Sequence, residues 1–140
     1  MEKLTSGVPM DARRSERQAV DSAIAGQRVV LYTIAIDSGV AAATLNSLRK
    51  FAESLGCDVA AELYDMVPVG TPRSTRTGWL AIEQYIVDGK VQGVIATTET
   101  EIAFYRADRT ALRSWLLCNK ALACYLLSEH GPRSEGGVRA

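Results

Sequence analysis

The sequence has no surplus of charge of either sign: 16 Lys and Arg are matched by 16 Asp and Glu. Free-standing DNA binders owe most of their affinity to phosphate neutralisation and usually show a basic excess. The balance counts against that class and leaves only a local basic patch open. No apolar run reaches the ~18 residues of a membrane helix. The opening stretch MEKLTSGVPMDARRSERQ lacks the apolar centre of a secretory leader. Both absences point to a cytoplasmic protein with no membrane partner. Cysteine is scarce, and Cys57, Cys118 and Cys124 form no CxxC pair. Without a leader, an odd number of cysteines implies reduced thiols, each expected as a small buried hydrophobe. The one histidine, His130, stands in a polar stretch and is no candidate ligand or base. No metal-ligand spacing occurs, so neither a metal nor another cofactor is expected.

What is present is one domain's worth of chain, 140 residues of which 47% are apolar. A globular chain of this size buries roughly two thirds of its unfolded surface, enough for a real core. Residues 1–27 read as a polar N-terminal extension. It contains a possible short helix, capped by Asp11 and ended by Gly26, with Ala19, Val20, Ala23 and Ile24 as a thin apolar stripe. Arg13, Arg14 and Arg17 read as its solvated face. Residues 28–127 form the folded domain, and 128–140 read as a disordered tail.

Within the domain, Arg28–Ile36 is an almost unbroken β-branched apolar run, the pattern of a central strand buried on both faces. Ala41, Leu45, Leu48, Ala52 and Leu55 then recur at helical spacing up to Gly56. Cys57–Met66 alternates, with Cys57, Val59, Ala61 and Leu63 on one side, as an edge strand does. Val67–Gly78 is loop by its Pro and Gly content. A second helix is expected over Trp79–Asp88, with Trp79, Ile82, Glu83 and Ile86 on one face, and a strand over Val91–Thr98. A third helix is expected over Phe104–Cys118, with Phe104, Ala107, Ala111, Leu112 and Trp115 inward, and a last strand over Lys120–Leu127. Both tryptophans are expected in the core, while Phe104 or Tyr105 could be exposed as a partner surface. Arg106, Arg109 and Arg113 read as the wet face of the third helix.

Strands alternating with helices demand a parallel sheet with right-handed crossovers. The result is a three-layer α/β fold of about four strands, flavodoxin-like, in order 2-1-3-4, with helices on both faces. Ligands in such sheets gather at the carboxyl ends of the strands, where the strand order reverses. The candidate switch-point residues are therefore Asp37, Ser38, Thr98, Glu99 and Glu101.

Several weak signals then fall in a telling order. A strand carries Tyr32, a helix ends in FAESLG, and a strand ends in Tyr64-Asp65. Gly70-Thr71 precedes Arg76-x-Gly78-Trp79, and a DGK turn leads into GVIATT. From Arg28 to Leu127 this resembles the catalytic domain of the serine recombinases, the resolvase/invertase family. The resemblance implies a nucleophilic serine at the end of Tyr-x-Arg-Val-Ser and arginines that hold the scissile phosphate. Such chemistry needs a hydroxyl to attack and cations to stabilise the charge that develops.

The sequence departs from that pattern where the chemistry lies. The arginine position is Ile34 and the serine position is Ile36, which cannot form a phosphate ester. Thr44 replaces the family's Gln. The family's Asp-Arg-x-x-Arg reads Thr100-Glu101-Ile102-Ala103-Phe104 here. A carboxylate about 4 Å from a phosphate would cost on the order of 4 kcal/mol at an effective dielectric of 20. Arg76 survives the match, with Arg73 near it, and these two are the phosphate or DNA candidates. Losing a catalytic nucleophile can cost on the order of a millionfold in rate. Ser38, two residues late, is a poor substitute without activating cations. The long helix that in the family follows the sheet and carries the dimer contact is not seen.

Three function classes remain open. The first is a catalytically inactive recombinase-like domain working through a protein partner or as a homo-oligomer. The second is a DNA-associated protein that binds with weak or no cleavage. The third is a small-molecule or metal-binding flavodoxin-like domain, disfavoured because Asp37-Ser38-Gly39-Val40 is too short for a phosphate loop. Asp37, Asp65, Glu99 and Glu101 could hold a hard cation, but are expected as solvated loop charges.

Overall fold

The strand that starts the domain, β1 (Arg28–Ile34), is buried along nearly its whole length, so both its faces must meet apolar layers. A computed structural model, describing residues 19–127, shows how. The chain continues as α1 (Ser38–Ser54), β2 (Asp58–Asp65), a 3-10 turn (Arg73–Thr75) and α2 (Thr77–Val87). β3 (Gly93–Ala96), α3 (Glu99–Ile102), α4 (Arg106–Cys118) and β4 (Leu122–Tyr125) follow. The four strands are parallel and ordered β2-β1-β3-β4. This is the α/β sheet and strand order that the apolar pattern implies.

Alternation along β1 divides the core in two. Val30 and Tyr32 face a layer built from Trp79, Ile82 and Ile86 of α2 and Leu112 and Leu116 of α4. Val29 and Leu31 face Leu45, Leu48 and Ala52 of α1, together with Ile24 from a helical segment over 19–24. Helices thus cover both faces of the sheet. Gly56 and Gly89, which close α1 and α2, take φ of 73°, a left-handed conformation that costs glycine little.

Several boundaries differ from the sequence reading, each for a local reason. β1 stops at Ile34, and α1 starts at Ser38 rather than Ala41. Asp37 accepts a 2.8 Å hydrogen bond from the amide of Val40 and so caps the helix early. α2 begins at Thr77 and α4 at Arg106. The short α3 interrupts a stretch with no apolar period to reveal it, nucleated by Thr98, whose hydroxyl accepts from the amide of Glu101 at 3.3 Å. On α4 the buried pair is Leu112 and Leu116; Phe104, Ala107 and Ala111 are exposed and Trp115 is half-buried.

β2 is the edge strand, but its alternation is broken. Val29 pairs with Val59 while Val30 pairs with Ala61, so one extra residue bulges out. Because side chains alternate strictly, that residue swaps the faces beyond it. Cys57 and Val59 pack on the α1 side, whereas Ala61 and Leu63 pack on the α2 side. The four do not share one face. The thiols are also not alike: Cys124 is buried, Cys57 half-buried and Cys118 exposed. Asp11, Arg13, Arg14, Arg17, His130 and residues 128–140 lie outside the described residues.

Candidate functional site at the carboxyl edge of the sheet

β1 and β3 diverge in direction of chain travel at their carboxyl ends, and the candidate residues collect there. Ile36 follows β1 and is 87% exposed. Ser38, the first residue of α1, is exposed too. Met66 leaves the sheet beside Ile36, since the Ala35 amide bonds the Asp65 carbonyl at 3.1 Å. Met66, Val40 and Val69 are also exposed, so much of the uncovered side-chain surface here is apolar.

The charged residues behave differently. Asp65, at the end of β2, is 7% exposed. It accepts hydrogen bonds from the hydroxyl of Tyr32 at 2.7 Å and from the amides of Gly78 at 2.8 Å and Trp79 at 3.0 Å. Those amides open α2, which has no cap of its own from Arg76. A helix start is a natural anion site, through its free N–H groups and dipole. Here the chain's own carboxylate fills it. Gly78 makes this possible, because a Cβ there would sit 2.8 Å from Asp65 Oδ2 and 3.0 Å from the Tyr64 carbonyl.

Arg76 is 1% exposed. Its guanidinium donates to the carbonyls of Val69 at 3.0 Å, Thr71 at 3.0 Å and Glu101 at 2.7 Å, with Tyr32 Oη at 3.4 Å. It ties the loop before α2 to α3. Arg73 makes a two-pronged ion pair with Asp108 of α4, 2.7 Å at its shortest. Both cations singled out from the sequence thus make contacts within the domain.

Of the four carboxylates expected as solvated loop charges, Asp37 is exposed, while Asp65 and Glu99 are buried and Glu101 is half-buried. Glu99 is buried and paired with Arg113, whose Nε donates at 2.7 Å. Glu101 accepts from the Thr33 hydroxyl at 2.9 Å, and its other oxygen is buried without a partner. Burial pushes the Glu101 pKa up, against the pull of Thr33, the backbone of Ile34 and Thr97, and the charge of Arg76. The hydroxyl of Tyr32 is also pushed up, first by burial and then by its bond to Asp65. Asp37 caps α1 and Thr98 caps α3. Among the described residues no three His, Cys, Asp or Glu gather as metal ligands, and no helix is long and apolar enough to cross a membrane.

Sequence reasoning did not find a groove of about 490 Å³ beside this edge. It lies between the 70–74 loop, α2 and α4, lined by Leu80, Glu83, Phe104, Tyr105, Asp108 and Trp115. Phe104 and Tyr105 are both exposed and meet edge to face at 5.1 Å. The sequence reading offered one of these two aromatics as an exposed surface; both are exposed, and the groove beside them is what no local pattern marks.

The chain has the fold of a serine-recombinase catalytic domain. It is similar to the C-terminal catalytic domain of ISC1926 TnpA, an IS607-like serine recombinase, with a TM-score of 0.65 and 16% identity over 80% of this chain and 78% of that one. The N-terminal catalytic domain of TP901-1 integrase gives 0.63 and 19% identity, covering 71% and 76%. A serine recombinase from Sulfolobus solfataricus gives 0.55 and 14% identity, covering 80% and 88%. No family profile and no curated protein matches the sequence. Identity at this level establishes shared architecture, not shared chemistry.

Proposed function

We propose that this chain is a recombinase-like domain that does not cut DNA and acts through contacts with another protein, as an accessory or regulatory subunit in the cytoplasm. The observation that carries the reading is Ile36. The resemblance puts the nucleophile at this position, and here it bears an exposed hydrocarbon in place of a hydroxyl. The surrounding charges support it. Asp37 and Asp65 cap helices, Glu99 pairs with Arg113, Arg73 with Asp108, and Arg76 is enclosed by carbonyls. Charges paired within the chain are weak phosphate ligands, whereas exposed Ile36, Val40 and Met66 gain by being covered.

Supercoiled plasmid tests this directly. At low and physiological salt, no nicking, no relaxation and no covalent protein–DNA adduct are expected. An adduct would overturn the reading and make Ser38 the suspect nucleophile. Binding without cutting, with a steep salt slope, would favour a DNA-associated protein instead. On the protein side, Ile36→Glu should selectively lose proteins that the unmodified chain retains on a column, with folding unchanged.

A further inference from the structure

We propose that Glu101 is a proton-operated latch that holds α3 against the carboxyl end of β1. α3 has four residues and reaches β1 through Glu101 Oε2, which accepts from Thr33 at 2.9 Å. Arg76 holds the same residue by its carbonyl at 2.7 Å. Glu101 Oε1 is buried without a hydrogen-bond partner, and so is Thr97 Oγ1 at the end of β3. An ionised carboxylate in that place keeps an unanswered lone pair out of water.

The charge inventory points the same way. Around Glu101 stand Arg76 before α2, Asp65 of β2 and the Tyr32 hydroxyl of β1. Glu99 of α3 itself is taken by Arg113 of α4, and Arg109 of α4 is turned to the Phe104 carbonyl. Arg76 reaches Glu101 by its backbone carbonyl, not its carboxylate, and Asp65 is already held by Tyr32 and the amides of Gly78 and Trp79. An ionised Glu101 is therefore a buried carboxylate that feels the charge of Arg76 without being bonded to its guanidinium. Relief comes from α3 swinging its carboxylate into water. Phe104 and Tyr105 follow α3 after the single residue Ala103 and wall the groove beside α4, so opening the latch moves that wall.

The direction is fixed by burial, which raises the carboxyl above its ordinary 4.5. A proton held more tightly in the closed form stabilises that form fully below the ordinary value. This stabilisation is lost as pH rises through the raised one. Opening should therefore grow from pH 4.5 upward, about tenfold for each pH unit crossed, and level off above the raised value.

Amide hydrogen exchange reads this at Ala103, whose N–H bonds the Glu99 carbonyl at 2.9 Å. After correction for intrinsic rates, the opening of the unmodified chain should climb with pH, while Glu101→Gln should stay flat at the acid level. Parallel curves for the two, or a flat unmodified chain, would overturn the proposal. Carbon-13 titration of the Glu101 carboxyl in the unmodified chain is independent of any variant's folding. A midpoint above 4.5 is expected, and one at or below it sinks the latch. Thr33→Val removes a bond that favours the ionised form and should move the midpoint further up; a downward move would contradict the geometry.

Discussion

Replacing Arg76 by methionine separates a structural arginine from one kept for a phosphate. Methionine preserves the length and the apolar stem but removes every donor. The carbonyls of Val69, Thr71 and Glu101 then lose their guanidinium partner. A buried acceptor left unpaired costs about 1–3 kcal/mol. Val69 is exposed, so water reaches its carbonyl and the low end applies there. Even at the low end for all three the sum is about 3 kcal/mol, a large part of the ~5–15 kcal/mol that holds an ordinary domain together. Urea unfolding followed by tryptophan emission reports it well, because Trp79 is fully buried with its ring 5.3 Å from that of Tyr32. The melting temperature should fall by roughly 10 °C. An arginine waiting for a ligand would behave as a surface residue, with substitutions worth within about 0.5 kcal/mol. A loss below ~1 kcal/mol at unchanged denaturant slope would therefore refute the role assigned to Arg76.

Gly78→Ala should destabilise by about 1–3 kcal/mol in the same unfolding assay, because the new methyl meets Asp65 Oδ2 at 2.8 Å and outweighs alanine's helical advantage. Native-state labelling with an aromatic disulfide reagent should modify Cys118 fast, Cys57 slowly and Cys124 only on unfolding; early loss of Cys124 would contradict its burial. Tyr32 binds its proton more tightly in the fold than its ordinary 10.0 allows, so its contribution is intact below pH 10 and is lost as pH rises beyond it. Tyr32→Phe should flatten that alkaline loss, as read by melting temperature between pH 9 and 11.

The layered α/β architecture was legible because its signals are one-dimensional. Val29, Val30 and Leu31 are apolar in unbroken succession, which fits only a strand covered on both sides. Ala41, Leu45, Leu48 and Ala52 keep helical spacing, and all four are buried. The strand order follows from crossover handedness and from the half-polar pattern of β2. The edge at which the candidate site lies follows from that order alone.

What each charged residue does there was decided in three dimensions. Arg76 reads as a surviving phosphate ligand until its neighbours are known, and those come from positions 32, 69, 71 and 101. Asp65 reads as a solvated strand end until α2 begins against it. The bulge that parts Val59 from Ala61 depends on pairing with β1, which no local pattern encodes. Apolar periodicity fixes which faces are buried because burial acts on each residue's own surface. A polar group's role depends on which partner reaches it, and that is set only when distant segments meet.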